Sequence, residues 1–566
     1  MLGKRPAQGE LYDVGNVYPL SMPASSFHSQ LAKASSHLFT DEDFACCYSE
    51  KLGRPSVPPS QLALVTLLQH EANVSDEEAI ARTACDLRWA AVLRREAGKP
   101  LCAKSTLQLF RSHLIIHENV RTVFVSSIKE AKRAGLLTGN AFRIAIDTKP
   151  IEGRGAVEDT CNLLATGIRQ LAGALARDGK QQPRKWMSEH GLSRYTDPSI
   201  KGNADIDWSD AAAREALISG IVSDARRLLD MASGHGDKAL QASDLLAKLL
   251  LQDIEETKTP TGETNSRIKQ GTARDRIPSA NDPDGRHGRK SSSKKFVGSK
   301  ASIAVDIDSQ LITALDVIPG NAGDATGALE LVEQAEENTG QTVEQTLADC
   351  AYGGGETRQS FADAGRELLA KTPRESGNGG LFPKSRFDID LEADTVICPA
   401  GRTIAEFRRT DGGKVFTFGK ACSCCAMRSE CTRSSAGRTV NVHPQEQLLR
   451  NSREYQQTQE GRDHLRERVV VEHRLARLGQ LGIGQARYIG TPKTLFQLLM
   501  AATVANLRRT WNWAEAQNAS AKNESCSHAA LQSAVNAVLG AVARNMAHIL
   551  SRFVRPAMRA SSVWCL

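Results

Sequence analysis

The sequence has no apolar run near the roughly 18 residues a membrane span requires; its densest, LLAKLLL at 245–251, is far too short. Residues 1–20 lack the apolar stretch of a secretory signal, so export is not expected. Thirteen cysteines are an odd number for an exported disulfide framework, and a chain of 566 residues has no need of one. The expected home is therefore the cytoplasm, with reduced thiols. There is no internal repeat and no low-complexity bias of the collagen or coiled-coil kind. What remains is ordinary globular material, 40% hydrophobic and 24% charged. At about 100–200 residues per domain it should form several structural units.

Net charge is also scarce, only +7 overall. Its placement is uneven. Residues 262–300 carry ten Lys and Arg, among them Arg289, Lys290, Lys294, Lys295 and Lys300, against four acids, so +6 of the excess falls in one Gly/Ser-punctuated stretch. A solvated linker explains such a run. Nucleic-acid phosphate explains it too, because clustered cations gain from counterion release.

Residues 1–36 read as an extension and 37–120 as compact helices. QLALVTLLQHEA (61–72) has helical apolar spacing, Ser75 with Glu78 fits a capping box, and a third helix begins near Ser105. Short helices in series suit a helix-turn-helix DNA reader and equally a plain helical subdomain. From 121 to 372 the pattern is mixed. FRIAIDT (142–148) is a strand ending in Asp147, and a helical insertion occupies 160–256. SIAVDID (302–308) and LITALDV (311–317) form a hairpin, with Asp324 expected to cap the helix at 325–337. VEQTLAD (343–349) is a strand ending in Asp349, followed by a helix near 355–364 and a strand at 367–371. Residues 373–445 are Cys-rich and poor in apolar runs, 446–512 return to helix, and 513–566 form an Ala-rich helical tail. The expected class is α/β with a mixed sheet.

Carboxylates at neighbouring strand ends, joined by an acid from a packed helix, are hard oxygen ligands suited to Mg²⁺. Glu472 is the best third acid: in RERVVVEHRLARLGQLG it shares a helix face with Arg468, beside an apolar face of Val471, Leu475 and Leu478. An ordinary surface ion pair explains the same spacing. Asp306, Asp308 and Asp316 compete as acids, and spacing alone does not choose Asp147 over Asp306. Cys398, Cys422, Cys425 and Cys431 form C-x23-C-x2-C-x5-C, with Cys424 as an extra thiol. In a core-poor segment this suits structural zinc, though unligated thiols remain an alternative.

Several segments together resemble bacterial insertion-sequence transposases of the DDE type, over about 37 to 510. GRPSVPPSQLALVTLLQ, VSDEEAI, LRWAAVL and STLQLFR are similar to their InsH-type N-terminal domain. IAIDTKPIEGRGAVEDT resembles the segment of the first catalytic aspartate, here Asp147, and LADCAYGGGET that of the second, here Asp349. NDPDGRHGRKSSSKKFVGSKASIAVDID resembles the linker and second strand, which implies that Asp306 is a strand residue and not a ligand. RVVVEHRLARLGQLGIGQARYIG with KTLFQLLMAATVANLRR resembles the helix of the Tyr-(2)-Arg-(3)-Glu-(6)-Lys signature, and CPAGRTI…CSCCAMRSECT a Cys-bearing insertion of a long-chain subgroup. The resemblance implies an RNase H-like catalytic domain in two parts (121–372 and 446–512) holding two Mg²⁺ or Mn²⁺ ions on Asp147, Asp349 and Glu472. It implies a DNA-cutting and strand-transferring enzyme, dimeric on the terminal inverted repeats of its element and associated with the bacterial nucleoid. Arg468 would contact a phosphate, as would the basic stretch. Two positions depart from the signature: Leu465 stands at its Tyr and Gly479 at its Lys, leaving Arg474, Arg477 or Arg487 as substitutes. A transposase-derived DNA-binding protein that no longer cuts, and a nuclease without strand transfer, are the alternatives.

Overall fold

The computed structural model describes residues 1–6, 13–17, 22–51, 53–258, 264–291, 293–372 and 379–554. The start of the expected Cys-rich segment (373–378) and the end of the tail (555–566) thus lie outside the described residues. The helices ahead of the first strand include α1 (Phe27–Ala34), α2 (Pro59–Ala72), α3 (Asp76–Cys85), α4 (Leu87–Leu93), α5 (Lys104–Ile116) and α6 (Val120–Ala134). Proline opens α2, where its fixed φ suits a first turn. Asn73 closes α2 in the left-handed region at φ 51°. Ser75 then caps α3, accepting from the Glu78 amide at 3.2 Å. Pro59 through His70 of α2 are all buried, so this helix presents no free face to a DNA groove.

Strand β1 (Ala141–Glu152) alternates. Phe142, Ile144 and Ile146 enter one apolar cluster, while Ala145 and Ile151 enter another. A helical insertion follows, built mainly from α7 (Thr160–Asp178), α8 (Ala211–Met231) and α9 (Asp237–Asp253). It has its own core, centred on Leu163, Ile168, Ile221 and Leu246. That core also takes in Ile277 and Ala280, so the insertion extends past the expected boundary at 256 into the basic stretch. Its junction is sealed by a buried Arg276–Asp253 ion pair (2.8 Å), with Thr160 Oγ1 donating to Asp253 at 3.0 Å.

The sheet resumes with β2 (Arg286–Arg289), β3 (Lys295–Asp306) and β4 (Ile312–Pro319). After α10 (Ala328–Thr339) come β5 (Thr342–Ala348), α11 (Gly355–Asp363) and β6 (Glu367–Ala370). β2 and β4 pair in succession along the outer edge of β3; β1, β5 and β6 follow on its other side. β1, β2 and β4 run antiparallel to β3, whereas β5 is parallel to β1 and β6 to β5. The sheet is therefore mixed, as expected. α10 begins three residues later than expected and Asp324 does not cap it; that carboxylate is paired with Lys300 at 2.7 Å.

Residues 379–445 form two small three-stranded sheets over a thin core of Phe387, Val396, Phe416 and Val440. Helices α12 (Glu446–Tyr455), α13 (Gln459–Glu467) and α14 (Val469–Leu478) lead back to the large sheet. The last helix, α15 (Thr491–Val554), runs unbroken across the expected boundary at 512/513; residues 511–527 contain neither proline nor glycine to stop it. Its first half is fully buried at Phe496, Leu499, Ala502 and Asn506. It packs on α2 and α6 and on β4, where Asn506 bonds both the amide and the carbonyl of Ile312. The N-terminal helices and the sheet thus share one apolar core. Among the described residues no helix is long and apolar enough to cross a membrane.

Candidate active site

Asp147 and Asp349 are brought together by register. Ala145 pairs with Leu347 across the parallel β1–β5 ladder, and each aspartate lies two residues further on. Asp349 directly follows its strand, as expected, and accepts from the Ala351 amide at 2.8 Å. Asp147 does not end its strand: β1 continues to Glu152, paired with β3 and, at Glu152, bridged to Gln485. The rim is made by β5 stopping, not by β1 stopping.

On that side of β1, α14 lies against the sheet through Val471, Leu475 and Leu478, which are buried with Ala145 and Ile151. Its first turn points Glu472 outward, with the side chain half exposed. Arg468, at the cap of this helix, reaches between two acids: one guanidinium nitrogen lies 3.2 Å from Asp147 Oδ2 and the other bonds Glu472 Oε1. The i,i+4 pair expected from spacing therefore exists, and it is tied to the sheet.

Burial pushes the Asp147 carboxyl up from its ordinary 3.8 to about 6. The negative charges of Asp349 and Asp324 push the same way, opposed by the Thr148 amide and Arg468. Like charges thus crowd this rim, as they would at a site awaiting a cation. Tyr352, fully buried, meets the charges of Asp147, Asp324 and Asp349, and its phenol is pushed well above its usual value, first by burial.

The competing acids have other work. Asp306 is buried and its Oδ2 accepts from both the amide (3.0 Å) and the hydroxyl of Ser309, closing the β3–β4 turn. Asp308 is exposed, and Asp316 accepts from the Val317 amide at 2.8 Å.

A cavity of about 380 Å³ opens beside Glu472, lined by Lys371, Arg462, Arg466 and Arg468. Three of these cations were not singled out in the sequence, although Arg462 and Arg466 stand four apart, on one helix face. Leu465, at the missing tyrosine position, lines the same cavity. Of the expected basic stretch, Arg289, Lys290, Lys294 and Lys295 are exposed on and around the β2–β3 hairpin. Lys300 is a correction: it is buried and bonded to Asp324 and the Ala322 carbonyl, each at 2.7 Å, so it offers nothing to a phosphate. A wider groove of about 1070 Å³ separates the insertion helices from residues 277–286. Arg169, Arg177, Lys238, Lys248 and Arg286 line it, and none of the three carboxylates does.

Cys398, Cys422, Cys425 and Cys431 line one cavity of about 20 Å³. The Arg402 amide points at Cys398 Sγ and the Arg438 amide at Cys422 Sγ, both at 3.4 Å. Cys424 is exposed and does not line the cavity. Burial raises the Cys431 thiol above its usual value; the neighbouring Arg438 opposes this and the other three thiols add to it.

Neither group has closed to ligand distances: among the described residues, no three His, Cys, Asp or Glu side chains stand where they could hold a metal ion. The donor chemistry fits hard cations at the carboxylates and zinc at the thiols. At the carboxylates the Arg468 guanidinium bonds both Asp147 and Glu472.

A family model described as "Transposase DDE domain" matches residues 397–511, and one described as "Transposase domain (DUF772)" matches 22–113. The first includes Arg468, Glu472 and the four cysteines; the second includes helices α1 to α4 and most of α5. No curated protein and no solved structure gives a match. The two matches support an insertion-sequence DDE transposase, the family that its motifs resemble.

Proposed function

We propose that the chain cuts DNA at the terminal inverted repeats of its own element and joins the freed ends to target DNA. The observation that carries this reading is the convergence of Asp147 and Asp349 on neighbouring parallel strands, with Glu472 and Arg468 set over them by α14. The strand order and directions support an RNase H-like sheet, interrupted by the helical and Cys-rich insertions.

Asp147, Asp349 and Glu472 would hold Mg²⁺ or Mn²⁺. Two such ions supply Lewis-acid stabilisation of the attacking and leaving oxygens of an in-line displacement. Water attacks the phosphorus at the element end, the bond to the 3′ oxygen breaks, and a 3′-OH and a 5′-phosphate remain. That hydroxyl then attacks a target phosphorus and displaces the target's 3′ oxygen. No covalent protein intermediate is required.

Arg468 bonds Asp147 and Glu472, and with cations on the carboxylates its planar fork would be freed for a phosphate oxygen. The cationic cavity beside Glu472 would hold the strand near the acids. The exposed hairpin cations Arg289, Lys290, Lys294 and Lys295 would hold backbone further out. Zinc on the four cysteines would brace the small sheets and take no part in chemistry, since four thiolates leave no open position. Both ends must be cut together, so a dimer on DNA is part of the proposal, as is residence with the bacterial nucleoid.

The test is a cleavage assay with Mg²⁺ on DNA taken from either side of the gene, beside unrelated DNA. Cutting confined to the element ends, followed by joining, is expected. Binding without nicking would overturn the enzyme reading in favour of a transposase-derived DNA-binding protein. Nicking of any DNA alike would favour a general nuclease.

A further inference from the structure

Lys149 lies two residues beyond Asp147 on β1, so both side chains leave the strand on the face that α14 covers. Its ammonium donates to the Leu475 carbonyl in the last turn of α14, at 3.2 Å. A cation there is favoured by the negative end of the helix dipole. The helix also leaves room for it: a Cβ added at Gly479 would come within 2.7 Å of the Lys149 nitrogen. The same space cannot hold both this ammonium and a side chain at 479 without one of them moving.

An ammonium has three donors. One is committed to Leu475, and no carboxylate among the described residues forms an ion pair with Lys149. The arginines that could have served instead are engaged: Arg474 reaches Gln310, Arg477 bonds Gln480 at 2.8 Å, and Arg487 bonds the Val74 carbonyl. Lys149 is thus a strand-borne cation, braced on the carboxylate-bearing helix, with donors to spare.

We propose that Lys149 binds a phosphate oxygen of the DNA at the carboxylate site, from the space that Gly479 leaves at the end of α14. The proposal rests on the DNA-cutting reading above. It makes Lys149 a substrate-positioning residue supplied by the sheet, where a lysine at 479 would have supplied the charge from the helix.

The test is metal-free binding of the full-length protein to a mixed-sequence DNA duplex across a salt series, since a phosphate contact is made on any sequence. Lys149→Ala should weaken binding several-fold and lower the slope of log affinity against log salt by about 0.9, the loss of one phosphate contact. Lys149→Gln, which can keep the bond to Leu475 without the charge, should do the same with an unchanged melting temperature. Lys149→Arg should retain the slope. Gly479→Lys alone should leave the slope unchanged, because the flexible Lys149 side chain can move aside, and the Lys149→Ala/Gly479→Lys double variant should recover the slope. An unchanged slope in the Gln variant overturns the proposal, as does a double variant no better than Lys149→Ala. A lowered melting temperature with an unchanged slope also overturns it, leaving Lys149 a brace. If the unaltered protein binds DNA without any salt dependence, the failure belongs to the DNA reading itself.

Discussion

The carboxylate rim and the cysteine cavity are both groups of metal-type donors, and they are built in opposite ways. At the rim, each acid rides on an element fixed by apolar packing: Ile144, Ala145 and Ile146 hold β1, and Val471, Leu475 and Leu478 hold α14. The thiols ride on loops and short turns around a core of few residues. A packed element positions its side chains before any ligand arrives, whereas loops leave that work to the ligand. Losing the ion should therefore cost chemistry at the first site and structure at the second.

The largest effect tests the first half of this contrast. Glu472→Gln should reduce end cleavage by at least about a hundredfold, near 2.7 kcal/mol of barrier, with unchanged melting temperature and metal-free DNA binding. Glu472 is half exposed and outside the core, so its loss leaves no cavity. Gel assays of cutting and of binding on the same preparation check it, and retained cutting would remove Glu472 from the site.

Next is the second half. Cys422→Ser, or a strong chelator, should release zinc and open 379–445 to protease, while the sheet and α15 stay folded. Structural zinc sites supply on the order of 10 kcal/mol of local folding free energy. Metal analysis and limited proteolysis read the result. A zinc-free protein with this region still protected would show that the thin core suffices, and the contrast would fail.

Much of this was legible in the sequence. The strands bearing Asp147 and Asp349, the Arg468–Glu472 spacing and the cysteine set are periodicity and residue type. The role of Asp306 was not, because a buried acid closing a turn and an acid lining a site both alternate with Ile303, Val305 and Ile307. Lys300 looks like a surface cation in the sequence because its partner, Asp324, lies across a turn that no local pattern predicts. Asp147 was read as a strand end because β1 turns polar there, although pairing with β3 carries it on to Glu152. Lys149 carries no signal in the local sequence, because its meaning depends on a glycine 330 residues away.

A smaller effect separates the two sites by pH. The Asp147 carboxyl is raised to about 6, so below that value a cation must displace a proton to bind. The half-saturating Mg²⁺ concentration should then rise about tenfold per pH unit below 6, if one proton is displaced. The folded-state value lies above the ordinary 3.8, so the ionised form costs stability above about pH 6. That cost is relieved as pH falls from 6 toward 3.8. Added Mg²⁺ should therefore raise the melting temperature more at pH 7.5 than at pH 5. Equal stabilisation at both would mean the ion does not bind at Asp147.

The smallest effect asks whether burial alone makes an acid functional. Burial raises the Asp306 carboxyl too, against the hydrogen bonds from Ser309 that hold it down. Ile144 pairs with Asp306 on the strand next to β1, so the two acids sit in the same sheet only a few residues apart. Yet the Asp306 oxygen that is satisfied is spent on its own turn. Asp306→Asn keeps the shape and an acceptor for the Ser309 amide, so it should cost about 1 kcal/mol and leave cutting within a few-fold. Thermal unfolding and the cleavage assay check it together. If Asp306→Asn abolished cutting at unchanged stability, the site would extend to the hairpin, and a raised carboxyl in this sheet would mark function wherever it occurs. With cutting retained, what sets Asp147 apart is its placement at the rim where β5 stops and α14 begins, not its burial.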